Sequence, residues 1–262
     1  MQWSNEHSTE LRSAIGTLNI KSGKDKVARK HIEASMVGGN ANAFAQASWL
    51  TYHEKLVLGQ PETLQSGARS AEGLMYASRS SGNYTDALKH CGEWMKVEPF
   101  SLRPYREATH MALVALGDGA AAEDLCRKGL ELRPNDAMLK NNRAVAEIYC
   151  GKIGDAEKRL RDIVSLDRHE CAVIEATKGM VAFRSNDVTE GNRRYQKAEQ
   201  FFKENGLATE LSTALAFHGQ ELYRVNDVEL AERLFSAAIE CSRGHSNKEL
   251  ELLIERARRP IK

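Results

Sequence analysis

The chain has 262 residues, 37 Lys+Arg against 36 Asp+Glu, 6% aromatics and 5 prolines. Such a length supports a large buried core, whereas the thin aromatic content argues against a β-sandwich or barrel, and a net charge of +1 gives no electrostatic case for non-specific binding to nucleic acid or an anionic membrane. Five scattered cysteines with no C-x-x-C pair fit a reduced, cytoplasmic protein with no disulfide framework.

The opening stretch "MQWSNEHSTELRSAIG" lacks a basic start, an apolar block and a small-residue cleavage site, and no window reaches the roughly 18 apolar residues that a spanning helix needs. An unexported protein without a membrane segment is the expectation. The first repeating unit, 9–42, is weak: "AIGTLNIKSGKDKVARKHIEAS" carries a turn glycine, Gly23, and a small residue five later, Ala28. An extra helix is expected within 43–67, where Ala45, Trp49, Tyr52 and Leu56 recur on one helical face.

From residue 68 the pattern sharpens. "SSGNYTDALKHCGEWMKVEP", "ALGDGAAAEDLCRKGLELRP" and "YCGKIGDAEKRLRDIVSLDR" fall into register, with Gly82 to Gly117 spanning 35 residues and Gly117 to Gly151 spanning 34. Ala87, Ala122 and Ala156 keep the same steps. A period of that size is a helix-turn-helix repeat. Glycine supplies the left-handed conformation that closes the first helix, alanine lets the two helices cross closely, and Pro99 and Pro134 end a unit because proline lacks the amide proton of a helix interior. The expected repeats are 68–102, 103–136, 137–171, 172–211 and 212–245. In the last two Asn186 and Asn226 take the glycine place, Gly191 and Ala231 the alanine place, and about six extra residues near "FKENGLATE" lengthen a helix and loop. Residues 246–262, "NKELELLIERARRP" included, read as a C-terminal cap helix. With no low-complexity linker between these parts, one continuous domain is expected.

These residues resemble the tetratricopeptide repeat family: the Gly–(five)–Ala marker, a large residue four beyond the alanine and the closing proline. The resemblance is best from about Ala68 to Asp136, fair to Cys241 and poor before Gly67. It departs where Cys91 and Cys126 replace the aromatic after the alanine and where Arg168 stands in the proline position. It implies an all-α, right-handed α-solenoid that binds protein segments.

Catalytic signatures are missing from the sequence: no H-E-x-x-H, no Walker-type GxxxxGK, no G-x-S-x-G. "GDGAAAED" at Gly117 is better explained as a repeat turn than a phosphate loop, because no strand or lysine accompanies it. His169 near Cys171 suggests a metal only weakly, since a tetrahedral site wants four ligands. Neither cofactor nor metal is expected, and core packing explains Cys91 and Cys126.

A stacked helical array offers its inner face, formed by the first helix of each unit. Helical spacing places Tyr76, Arg79, Glu107, Met111, Asn141, Val145, Tyr149, Met180, Phe183, Arg184, Gln220, Tyr223 and Arg224 there. Apolar anchors with Arg79, Arg184 and Arg224 at the helix ends suit a peptide bearing a carboxylate, and Asn141 a peptide backbone. The expectation is therefore a non-enzymatic interaction scaffold or adaptor that takes a protein or peptide segment in its groove. The alternative is the sensor or regulatory repeat region of a bacterial effector or transcription-regulating system. Oligomeric state is not legible.

Overall fold

The computed structural model describes residues 5–37, 39–54, 56–58, 70–165, 167–242 and 248–259. Among the described residues every regular element is helical and no strand occurs. The chain divides into two compact units, 1–104 and 105–262, where the sequence reading expects one continuous domain.

Unit one contains α1 (Asn5–Lys21), α2 (Asp25–Met36), α3 (Ala41–His53), α4 (Ala71–Ser81) and α5 (Tyr84–Val97). Helices α1 and α2 form an antiparallel pair about Gly23 (φ +69°), and Ala28 is fully buried where they cross. Ile32, Met36, Phe44, Ala47 and Leu50 make a small core with Leu56 and Leu58. Helix α3 is the extra helix. It stops at His53, so Leu56 lies beyond it, and residues 59–69 fall outside the described residues. It packs on α4, where Gly73 allows the Ala45 backbone close and the Tyr52 and Tyr76 rings meet at 5.8 Å.

Unit two begins in the first turn of α6 (Arg103–Met111), which runs on as one π-helical turn, Ala112–Leu116. Then come α7 (Gly119–Leu132), α8 (Ala137–Tyr149), α9 (Ile153–Arg161), α10 (Arg168–Arg184), α11 (Val188–Glu204), α12 (Ala208–Arg224), α13 (Val228–Cys241) and α14 (Lys248–Ala257). Their starts are written locally. Asp118, Asp136, Asp167, Asp187 and Asp227 each accept a hydrogen bond from the backbone amide three residues on, the capping interaction that satisfies an otherwise orphaned donor.

The stops are equally local. Gly82, Gly117 and Gly151 have φ of +82°, +67° and +76°, and Asn186 and Asn226 adopt +63° and +66° in the equivalent turns. Marker residues Ala87, Ala122, Ala156 and Ala231 are fully buried. At Gly191 a Cβ would stand 2.5 Å from the Phe183 ring, so that unit needs something smaller than alanine. The insertion near "FKENGLATE" appears as a 17-residue α11 followed by a left-handed turn at Gly206. The result is an all-α α-solenoid architecture of antiparallel helix pairs.

Candidate functional site

In unit two the first helices of successive pairs, α6 with its π turn, α8, α10 and α12, line one pocket of about 310 Å³. The periodicity that buries them also aims them inward. Met138, Asn141, Asn142 and Val145 come from α8, and Val173, Ala176, Thr177 and Met180 from α10. Thr209, Glu210, Thr213, Ala214 and Phe217 come from α12, each set recurring every three or four residues. His110, Leu113 and Val114 close one side, Tyr195 and Phe202 of α11 lie at the back, and His169 stands at the start of α10.

The walls are predominantly apolar, with a few polar groups. Asn142 Nδ2 donates to Thr109 Oγ1 at 3.2 Å. His169 Nε2 lies 3.1 Å from Glu210 Oε1, both side chains partly exposed. Asn141 is 2% exposed, and its Oδ1 has no hydrogen-bond partner within the protein. Burial holds the Tyr195 phenol neutral well above the usual tyrosine range. Its ring stacks on His218, which bridges Glu199 (Nδ1, 2.8 Å) and Asn192 (Nε2, 2.7 Å) behind the wall. Such a pocket can hold an apolar side chain and present amides and a carboxylate around it.

Of the thirteen residues that the sequence reading placed on the groove, three line this pocket: Asn141, Val145 and Met180. Tyr76 and Arg79 belong to unit one and are buried there, with the Arg79 guanidinium 4.4 Å over the Tyr52 ring. Met111 is fully buried, and Glu107 is half-buried on α6. Phe183 is 3% exposed and packs toward Gly191, Tyr195 and His218, so it belongs to the helix-pair core.

The remaining five gather near the C-terminal ends of the first helices. Tyr149 Oη donates to Gln220 Oε1 at 3.2 Å. Arg184 donates to both oxygens of Glu221, Nη2 to Oε1 at 2.7 Å, with side-chain exposures of 13% and 1%. Burial opposes the Arg184 charge, yet the Glu221 carboxylate more than offsets it and raises the pKa. Arg224 Nε stands 3.9 Å from the same carboxylate, and Tyr223 is half-buried beside it. Arg184 is thus not the solvent-facing charge that the sequence suggests, because its fork is already used by Glu221.

Helix α14 packs beside this half of the face. Residues 246–262 were expected to form a C-terminal cap helix; within the described residues α14 packs mainly on the π turn and on α12, the first helix of the last pair. Arg256 donates to Ala115 O (3.0 Å), Val114 O (2.9 Å) and Leu113 O (3.2 Å), and Glu249 meets His110 Nε2 at 3.1 Å. Leu250, Leu253 and Ile254 are at most 2% exposed.

Sequence reasoning missed Met138, His169, Glu210, Thr213, Ala214 and Phe217 as lining residues. On α12 the residues expected on the groove, Gln220, Tyr223 and Arg224, lie toward the helix end, whereas the pocket lining lies nearer its start. His169 was noticed only beside Cys171; these two part company, Cys171 Sγ lying 3.5 Å from Ser165 O. Among the described residues no three His, Cys, Asp or Glu side chains gather as metal ligands, and no helix is long and apolar enough to cross a membrane.

No protein-family model matches the chain, and no curated protein matches it in sequence. Among solved structures it is similar to a tetratricopeptide repeat protein from Parabacteroides merdae ATCC 43184, with a TM-score of 0.62 and 13% identity over 96% of this chain and 99% of that one. Two structures of MamA also match. The form from residue 41 to the end, from Desulfovibrio magneticus RS-1, has 21% identity over 68% of this chain and 96% of that one, and a double mutant has 21% over 67% and 94%; both TM-scores are 0.43. The Parabacteroides likeness, taken with the positive-φ turns and buried marker alanines, shows the fold: helix pairs of the tetratricopeptide type.

Proposed function

We propose that the chain is a non-enzymatic protein-interaction scaffold that takes a partner segment in the pocket formed by α6, α8, α10 and α12. The observation that carries the reading is the pocket itself: four first helices converge on one apolar recess, with amide, imidazole and carboxylate groups around it. An inserted Leu, Met or Phe side chain would bury apolar surface at about 25 cal/mol per Å², and the flanking backbone would meet Asn142, Thr213 and the His169–Glu210 pair. The carboxylate-bearing ligand expected from Arg184 and Arg224 has weaker support, since Glu221 already engages Arg184. The pocket's polar groups are suited to holding a segment rather than to transforming it.

Site-specific photo-crosslinking tests the proposal. A crosslinking amino acid at Thr213, on the pocket wall, should trap one partner segment in cells, while the same group at Lys128, on the exposed face of α7, should not. Equal trapping at both positions, or trapping at Lys128 alone, would refute the pocket as the binding site.

A further inference from the structure

The pocket between α6, α8, α10 and α12 is lopsided in charge. Among the described residues no lysine or arginine lines it, and its one carboxylate is Glu210, in the first turn of α12. The cations next to lining residues in sequence are engaged elsewhere. Arg168, beside His169, holds its guanidinium 5.8 Å over the Phe201 ring, which is not part of the lining. Lys140 reaches the Asn135 side chain at 3.4 Å, and Arg143 lies 3.3 Å from Glu147.

The hydrogen-bonding groups are lopsided in the same sense. Thr177 Oγ1 donates to Val173 O at 3.3 Å, Thr213 Oγ1 donates to Thr209 O at 2.9 Å, and Asn142 Nδ2 donates to Thr109 Oγ1 at 3.2 Å. These donors are spent within the protein, while both pocket hydroxyls keep lone pairs. His169 occupies one acceptor site on the Glu210 carboxylate, which has about four. Asn141 adds a further acceptor: its buried Oδ1 has no partner within the protein, and a buried acceptor left unmet costs free energy. The wall therefore offers acceptors and one negative charge, and it lacks cationic donors of its own.

We infer that the partner segment held in this pocket is basic: an apolar anchor fills the recess, and a lysine or arginine close to it in sequence meets Glu210. The inference rests on the pocket reading above and narrows its ligand. An acidic segment would bring a second carboxylate toward Glu210 with no cation on the lining to offset it, and a neutral one would cover Glu210 without a counter-charge. A basic segment supplies both the charge and the N–H donors that the wall lacks. The Glu210 side chain is 34% exposed, so a cation can reach it from solvent without displacing His169.

The test is panning of a phage-displayed library of random peptides on the full chain, after depletion on Ala176→Trp, which puts an indole into the recess. Retained peptides should be enriched in lysine or arginine beside a Leu, Met or Phe. A retained peptide, titrated by calorimetry, should lose about fivefold or more in affinity on Glu210→Gln, and its copy with the cation replaced by glutamine should lose as much on wild type and nothing further on Glu210→Gln. If Glu210→Gln does not fold, Thr213→Lys, one turn along the same face of α12, supplies Glu210 with a cation from the chain itself and should give the same loss. Retained peptides that are neutral or acidic, or affinities indifferent to both variants, would overturn the basic segment and leave the pocket standing. Retention on Ala176→Trp equal to that on wild type would remove the pocket as the site, and this inference with it.

Discussion

Arg184 and Glu221 provide a sharp perturbation because they couple α10 to α12 through a nearly dry ion pair. The carboxylate is 1% exposed and the guanidinium 13%, so replacing Arg184 by alanine strands a buried negative charge rather than removing a surface contact. Breaking such a pair by deleting one partner costs about 3–5 kcal/mol. Here the lower end applies, because Arg224 Nε remains 3.9 Å from the same carboxylate. We predict a loss of about 3 kcal/mol for Arg184→Ala, which in a chain of this size lowers Tm by about 6–12 °C. Arg224→Ala alone should cost under about 1 kcal/mol, since that side chain is 37% exposed and its Nε, at 3.9 Å, is too far from the carboxylate for a hydrogen bond. The apolar pair Arg184→Met with Glu221→Leu should come within about 1 kcal/mol of wild type, because both desolvation penalties vanish together. The assay is thermal and urea unfolding followed by circular dichroism for the single, paired and wild-type chains. A single mutant within about 1 kcal/mol of wild type, or an apolar pair as unstable as the single mutant, would refute the reasoning.

Ala122→Leu and Ala156→Leu should each cost about 1–3 kcal/mol by overpacking a helix crossing, whereas Ala121→Leu, half-buried next door, should cost less; urea midpoints decide. Gly151→Ala meets only backbone strain, about 1–2 kcal/mol at φ +76°, since nothing lies within 4 Å of its Cβ. Gly117→Ala bears a comparable strain and also displaces Arg256, so it alone should speed hydrogen exchange in α14. Burial pushes the Cys126 thiol up to about 12, so at pH 8 its thiolate fraction is about one thousandth of that in the unfolded chain, and iodoacetamide should spare it while modifying Cys150. The sign follows: a proton held more tightly in the folded state costs stability as pH rises from about 9 to about 12, so unfolding midpoints should fall across that window.

The turn chemistry was the most legible part of the fold. Left-handed residues at Gly82, Gly117, Gly151, Asn186 and Asn226 follow from a single rule about φ, and the buried alanines five residues on follow from the closeness of two crossing helices. The π turn was not legible, because the apolar run Ala112–Leu116 carries no residue that marks a wide turn. Nor was the seat of α14. Its leucine stripe announces an amphipathic helix but not which of several apolar walls it covers; nor does periodicity show that Tyr149 bonds Gln220 and Arg184 pairs with Glu221. Asn141, Val145 and Met180, expected on the inner face, line the pocket because they sit midway along their helices. Helical periodicity gives the face of a helix; long-range packing decides which stretch of that face remains free.

The central claim, that the pocket between α6, α8, α10 and α12 holds the partner, is tested most directly by filling it. Ala176 is half-buried on the pocket wall, and Ala176→Trp would place an indole in the recess. Calorimetric titration of the crosslinked partner segment against this variant should show affinity reduced at least a hundredfold, with Tm near that of wild type. Lys128→Trp on the exposed face of α7 should bind as wild type does. Undiminished affinity in the filled variant, with the loss appearing at Lys128 instead, would contradict the account and move the binding site to the outer helices.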